Sequence, residues 1–461
     1  AERGDIPRAE EIFLQMKGST PLTRQTLLFN TVLKACANSG QVGKAILWYT
    51  RMRERRVRVN AKTFGKLIEA AAKSGDITRA RACFQGMLDE DFDANDVAMS
   101  AVIDACAQAG HPSEAAMWLD KMEAMRVRPS DASYGSVIHA CARAGRVEEA
   151  AGWLLRMEEA RLAPNLLAFS SVVNACAKAG RGREAAEWLT KMESSGIRPD
   201  VVAYASVIDA FAKAGQAKEA ATWLGLMETA RLRPNVISYN SVIAACSRIG
   251  HPGQAMAWFD RLEAAGLHPD RASHNAVIDA CARSGRVEEA ASWFARMEAA
   301  NILPDLTSFT SMIAACARAG QADEAVNWLD RIESFGIKPN EVSLNGVIHA
   351  CGRAGRAEEA AAWLREMEVV GLRPNVVSYT NVVGAFSRAS LAETALCWLD
   401  RLEVAGLKPN VLSYTCALEA CDRLPIKEQG VKAARGVLRR MLASNVKPDR
   451  VILAKVSRLW G

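Results

Sequence analysis

Residues 236–270 read VISYNSVIAACSRIGHPGQAMAWFDRLEAAGLHPD. Tyr239, Val242, Ile243 and Cys246 stand at i, i+3, i+4 and i+7, which places them on one face of an amphipathic helix. Gly250 stops that helix and His251-Pro252 turns the chain. The spacing predicts a second helix from about Gln254, with Ala255, Trp258, Phe259 and Leu262 on its buried side. Gly266 ends it and Pro269 sets the connection onward. The stretch is a helix–turn–helix hairpin. Neither helix can bury its apolar stripe alone, so hairpins must stack on one another.

The same pattern recurs outward in both directions. Pro returns at 129, 164, 199, 234, 269, 304, 339, 374 and 409, always after 35 residues. Gly keeps the same step from 75 to 355, and Ala from 35 to 420. A fixed period of this length marks a solenoid and overrides a domain count taken from length. One continuous array is therefore expected. Its twelve repeats are 26–60, 61–95, 96–130, 131–165, 166–200, 201–235, 236–270, 271–305, 306–340, 341–375, 376–410 and 411–449, the last with four extra residues near Pro425. Residues 1–25 read as a partial N-terminal repeat, and 450–461 as the start of a further one or a cap. The chain opens inside a repeat without an initiator Met, the expectation for a fragment or a processed form lacking any targeting peptide. No segment alternates as a strand would, so the fold class is all-α. Ala245 and Ala255, small residues kept in each first and second helix, would let helices approach closely.

Of the 461 residues, 50% are hydrophobic and 24% charged, which excludes a disordered or collagen-like chain. No apolar run approaches the ~18 residues of a membrane span. The net charge of +6 permits a polyanionic partner, and its placement decides whether one is meant. Nine of the twelve Cys share one repeat position (36, 106, 141, 176, 246, 281, 316, 351 and 421) on the buried stripe, which suits small core side chains in a reducing compartment. No C-x-x-C pair and no His at zinc-ligand spacing accompanies them, so neither metal nor cofactor is expected. Ten of the 11 Trp share a second-helix register among apolar neighbours and read as core. The Glu pairs at 148–149, 288–289 and 358–359 open second helices, where the macrodipole favours acids. No nucleophile–base constellation or phosphate loop stands out, and the chain is read as no enzyme.

Numbering each repeat 1 to 35, positions 4, 7, 8 and 11 of the first helix are apolar. Positions 2, 5, 9 and 13 fall on an adjoining stripe. Position 13 reads Asn38, Lys73, Gln108, Arg143, Lys178, Lys213, Arg248, Arg283, Arg318, Arg353, Arg388 and Arg423. A cation near one helix C-terminus is ordinary. Ten in register predict a track for a polyanion. Position 5 draws on Asn, Ser, Thr, Gly and Ala, and position 35 is nearly always Asn or Asp. Helix capping accounts for position 35 but not for the alternation at position 5.

With V-x-Y-N-x-V-I-x-A-C-x-R-x-G, E-A and G-L-x-P-N/D in a 35-residue unit, the repeat resembles the P-class of the pentatricopeptide repeat (PPR) family over nearly the whole chain. It departs from the related tetratricopeptide pattern, which wants Gly and Tyr at positions 8 and 11 where this chain has Ile/Val and Cys. The resemblance implies a right-handed α-solenoid superhelix that binds single-stranded RNA at about one base per repeat. It implies that positions 5 and 35 read the base, that successive position-2 residues sandwich it, and that the position-13 cation approaches phosphate. On that reading Asn30/Asn60 suggests C or U, and Ser170/Asp200 suggests G. Asn240/Asp270 and Asn275/Asp305 each suggest U, and Thr310/Asn340 suggests A. Asn345/Asn375 suggests C or U, Thr380/Asn410 suggests A, and Thr415/Asp449 suggests G. Gly65/Asn95, Ser100/Ser130 and Gly135/Asn165 lie off this code and Ala205/Asn235 is indeterminate. The implied target of about twelve nucleotides is 5′-Y-N-N-N-G-N-U-U-A-C-A-G-3′. The sandwiching residues are Val202, Ile237, Val342, Val377 and Leu412, whereas Lys62 and Thr307 are polar and Ala132 and Ala272 small. The phosphate contacts are the ten cations from Lys73 to Arg423.

The resemblance points to an organelle, mitochondrion or chloroplast, and to transcript stabilisation, processing or translation. The alternative is a structural solenoid subunit of a large organellar ribonucleoprotein or protein assembly that reads no bases, with protein partners on its outer surface. Family members that are editing factors or nucleases carry a further C-terminal domain, and here repeats run almost to Trp460.

Overall fold

The computed structural model describes residues 4–17, 22–424 and 426–460. These form helices from Ile6–Lys17 to Arg450–Trp460, with no strand among the described residues. In residues 236–270 the first helix is Val236–Arg248 and the second Pro252–Ala264. The second therefore begins two residues before Gln254. Pro252 is its first helical residue, where a missing N–H costs nothing and the ring presets φ.

The chain divides into two compact units, Ala1–Arg233 and Pro234–Gly461. A solenoid repeat touches only its neighbours, so no core is shared along its whole length. Within each unit the first helices pack side by side, and each second helix lies against the first helix of its own repeat and of the next. The apolar stripe is buried throughout: Tyr239, Val242, Ile243 and Cys246 on the first helix, Ala255, Phe259 and Leu262 on the second, with Trp258 half-buried. Ala245 and Ala255 are fully buried, and their small side chains are what allow close helix approach. The nine Cys of the common register are all buried. Burial pushes the thiols of Cys106, Cys246 and Cys421 up to about 11.

Second helices are tied to each other by side chains. Arg156 reaches back to Asp120 at 3.0 Å and Glu123 at 2.7 Å, lies over the Trp153 ring, and Glu123 also accepts the Tyr134 hydroxyl at 2.7 Å. Arg296 with Glu263 and Trp293, and Arg331 with Glu298 and Trp328, repeat the arrangement in the second unit. The Trp register thus belongs to the hairpin packing.

Two departures from the period have local causes. The first helix of the first repeat begins at Leu22 rather than residue 26. Gln25 occupies the position that elsewhere holds Asn, Asp or Ser, so no short side chain caps a helix there. In residues 411–449 the second helix is Lys427–Ala443, 17 residues instead of 13. Four residues are close to one turn, so its apolar face stays in phase. Pro425 itself lies outside the described residues.

From Gly40 to Gly355 each first helix is followed by a left-handed Gly, Gly250 at φ 71° for example. At residue 390 this Gly is replaced by Ser, held at φ 59°. That conformation brings Cβ against the following carbonyl. Ser390→Gly is expected to stabilise the protein by about 0.5–1 kcal/mol, seen as a higher urea midpoint at unchanged slope.

Candidate nucleic-acid interface

Position 35 starts every first helix after the first. The side chains of Asn60, Asn95, Ser130, Asn165, Asp200, Asn235, Asp270, Asp305, Asn340, Asn375 and Asn410 each accept the backbone N–H three residues on. Asp449 does the same for Ile452 at 2.8 Å. Extended backbone at the cap and a short polar side chain satisfy one orphan donor of each helix.

The fold also brings position 5 of one repeat to position 35 of the same repeat, across the hairpin. The Asn30 amide donates to Asn60 Oδ1 at 3.3 Å. The Asn240 amide donates to Asp270 Oδ1 at 2.9 Å, and the Asn275 amide to Asp305 Oδ1 at 3.1 Å. Burial alone would raise the Asp270 and Asp305 carboxyls. The N–H and hydroxyl of Ser273 or Ser308 and the facing Asn amide outweigh it and hold both below the usual carboxylate value. These two pairs therefore present an anion beside an amide. An open hollow lined by Asp270, Ala272, Asn275 and Asp305 joins the end of one repeat to the reading positions of the next.

The remaining pairs differ. Ser170 Oγ and Asn345 Oδ1 are buried without a hydrogen-bond partner. The Thr310 hydroxyl donates to Thr307 O at 3.0 Å. Thr380 and Thr415 are buried, and their hydroxyls donate to Val376 O at 2.6 Å and Val411 O at 2.8 Å. The Thr380 hydroxyl also lies 2.6 Å from Ser413 Oγ.

Position 2 is an exposed apolar row. Ile237 is 66% exposed, and Val202, Val342, Val377 and Leu412 are exposed like it. Leu27, Val97 and Leu167 occupy the same position and are equally exposed, as is Val451 in the partial repeat that follows. The sequence reading passed over these four, although their place in the period identifies them. Lys62, Ala132, Ala272 and Thr307 interrupt this aliphatic row.

Position 13 lines each unit with cations, and most of them also hold the stack together. Lys73 donates to Asn38 Oδ1 at 3.2 Å, and Arg143 to Gln108 O at 3.5 Å. Arg318, Arg353, Arg388 and Arg423 donate to Arg283 O, Arg318 O, Gly352 O and Ser387 O at 2.6–3.0 Å, capping the C-terminus of the preceding first helix. A guanidinium has five N–H donors, so one such bond leaves others for phosphate. Lys178 and Arg248 are exposed at the same position. Position 9 modulates the charge. Glu69, Asp209 and Asp279 pair with Lys73, Lys213 and Arg283 at 3.4, 2.7 and 2.8 Å. Beside Arg318, Arg353 and Arg388 position 9 is instead Ala314, His349 and Gly384. Burial and those three arginines push His349 toward its neutral form. Position 9 thus places no acid beside Arg318, Arg353 or Arg388, as it places none beside Arg143, Lys178 or Arg248.

The family model for the pentacotripeptide-repeat region of PRORP matches residues 17–158, 227–364 and 326–429. The chain belongs to the pentatricopeptide repeat family. Models of a PPR domain and a single PPR repeat match 188–249 and 167–197. Among solved structures, the pentatricopeptide repeat protein PPR10 from maize superposes with a TM-score of 0.64 at 21% identity, over 98% of this chain and 74% of that one. PPR10 in complex with an 18-nt psaJ RNA element gives 0.46 at 20% identity, over 99% of this chain and 80% of that one. The PPR domain of Arabidopsis thaliana protein-only RNase P 1 in complex with tRNA gives 0.34 at 14%, over 39% of this chain and 94% of that one. No curated protein matches. At 21% identity the first of these superpositions supports the PPR α-solenoid fold.

Because Asn caps as well as Asp does, Asp270→Asn should leave stability within about 0.5 kcal/mol, whereas Asp270→Ala should cost about 1 kcal/mol. Chemical denaturation of the two variants beside the parent checks this.

Proposed function

We propose that this PPR protein is a sequence-specific, non-catalytic binder of single-stranded RNA that takes about one base per repeat. The observation that carries the reading is the set of hydrogen-bonded pairs at positions 5 and 35, Asn30/Asn60, Asn240/Asp270 and Asn275/Asp305, on the helices that also carry the exposed aliphatic residues of position 2 and the cations of position 13. Asp accepts a ring N–H, as in U or G, while a neutral amide suits the amino-bearing edges of A or C. Asn240/Asp270 and Asn275/Asp305 then read U, and Asn345/Asn375 reads C or U. Thr310/Asn340 and Thr380/Asn410 read A, and Ser170/Asp200 and Thr415/Asp449 read G. The target is 5′-Y-N-N-N-G-N-U-U-A-C-A-G-3′, with U-U-A-C-A its core. Exposed Val202, Ile237, Val342, Val377 and Leu412 support stacking, and the cations Arg318, Arg353 and Arg388, with no acid at position 9, support phosphate contact over the core. The setting is an organelle, mitochondrion or chloroplast, where such binding would stabilise a transcript, direct its processing or control its translation.

A second reading has one observation in its favour. Gly65, Gly135 and Ala205 place no polar group beside position 35, so the first unit carries fewer reading pairs than the second. A repeat that stacks without reading is what a scaffold subunit of a ribonucleoprotein would need. Selection from a randomised RNA pool separates the two. Recovery of U-U-A-C-A supports the reader, and binding without a motif supports the scaffold.

Asp270→Asn should move preference at its nucleotide from U toward C, with a mismatch worth about 1–3 kcal/mol. Titrations against the two RNAs read this directly, and an unchanged preference counts against base reading. Affinity should also fall with salt, the slope of log K being about −0.7 per neutralised phosphate and about −7 for roughly ten contacts. A flat response would exclude the phosphate track.

A further inference from the structure

The buried hydroxyl at position 3 of the following repeat is not part of the pair assigned above, yet it is bonded to it. Ser273 and Ser308 are fully buried. Ser273 Oγ lies 2.6 Å from Asn240 Oδ1 and 2.9 Å from Asp270 Oδ1, and accepts the Asp270 N–H at 3.1 Å. Ser308 Oγ lies 2.6 Å from Asn275 Oδ1 and 3.0 Å from Asp305 Oδ1, and accepts the Asp305 N–H at 3.2 Å. Thr63 makes the same contact with Asn30 Oδ1 at 2.9 Å. One hydroxyl thus touches both reading side chains while sitting between two packed first helices.

We infer that position 3 of the following repeat is a positioning residue for base choice, because its hydroxyl locks the position-5 amide in one of its two flips. This rests on the base-reading function proposed above. Turning the Asn240 amide over would set its oxygen against the Asp270 carboxylate and its NH2 against the Ser273 hydroxyl. In the locked flip one N–H goes to Asp270 Oδ1, and the second remains a donor. With the single Ser273 hydroxyl proton on Asn240 Oδ1, Asp270 Oδ1 accepts the Ser273 N–H and the Asn240 amide, and the Ala272 N–H adds a further bond to the carboxylate. Neither Ser273 nor Asn240 donates to Oδ2. The edge offered is a donor beside an acceptor. Uracil matches it with a carbonyl oxygen and its ring N–H. Cytosine would point a ring nitrogen lone pair at a carboxylate.

The chain's own variation follows this coupling. Every Asn at position 5 (Asn30, Asn240, Asn275 and Asn345) is followed by Thr or Ser at position 3 of the next repeat (Thr63, Ser273, Ser308 and Ser378). Where position 3 is Ala98, Ala168 or Ala203, position 5 is Gly65, Gly135 or Ser170. An Asn with no hydroxyl behind it does not occur. Ser378 provides an internal contrast. It forms the same capping box with Asn375, but Asn345 Oδ1 has no hydrogen-bond partner. There the hydroxyl supports the helix start without holding the amide.

The test compares the whole chain with S273A, S308A, S273T and S378A. The probes are synthetic RNAs of about twelve nucleotides carrying U-U-A-C-A, and the same RNAs with either U replaced by C. The parent should prefer U by about tenfold or more at each position. S273A should reduce that ratio about five- to tenfold at the first U alone, and S308A at the second U alone. S273T should restore it, and S378A should leave both ratios unchanged while losing the same capping contribution. If S273A and S308A weaken all RNAs equally and keep the parent's U-over-C ratio, the hydroxyl only caps and the positioning role is overturned. If the parent itself shows no U-over-C preference, base reading fails, and the positioning role with it.

Discussion

A helix must find partners for its first N–H groups, and in this chain one side chain per repeat supplies that partner from position 35. The backbone there is extended, the side chain is short, and the acceptor faces the N–H three residues on. Everything proposed for the reading edge depends on this bond. At Thr63, Ser273, Ser308, Ser343, Ser378 and Ser413 it draws position 3 into a capping box. It also leaves one flank of the Asn or Asp turned toward position 5. Asn, Asp and Ser all satisfy the cap. The identity at position 35 can therefore change from repeat to repeat without cost to the fold, which is the freedom a base code requires.

The position-13 cations share this double character. A lone arginine at a helix C-terminus needs no function beyond the macrodipole. Here the guanidinium reaches the carbonyls of the preceding first helix, so the same side chain seals one repeat to the next and lines the surface. The two roles are compatible because guanidinium donors outnumber the carbonyls they meet. Position 9 sets how much of the charge is visible from outside. Glu69, Asp209 and Asp279 quench their neighbours, while Ala314, His349 and Gly384 place no acid at position 9 beside Arg318, Arg353 and Arg388. Those three arginines belong to the repeats of Thr310, Asn345 and Thr380, within the proposed U-U-A-C-A core.

The second helices carry a separate network, in which Glu123, Arg156, Tyr134 and Trp153 bind successive hairpins through an ion pair, a phenol hydrogen bond and a cation–π contact. It keeps the large aromatic side chains away from the stripe of positions 2, 5 and 13. The interaction surface is left with small polar groups, aliphatic side chains and cations.

The hairpin, its period, its buried faces and the register of positions 2, 5, 13 and 35 were legible in the sequence, because each is a matter of spacing along one chain. Capping at position 35 was legible too, since Asn and Asp before a helix have few other uses. The early start of the second helix at Pro252 could have been read from the same rule that favours Pro in a first turn. What the spacing did not disclose are contacts between residues some 30 positions apart. The hydroxyl of Ser273 on the amide of Asn240, the burial of Thr380 and Thr415, the arginine caps on neighbouring helices and the division into two units all arise only when hairpins stack. The sequence by itself determined what one repeat is and how often it recurs, since helix periodicity and capping are local. Tertiary structure alone decided which reading side chains are held, buried or exposed, because that depends on the neighbour each repeat meets.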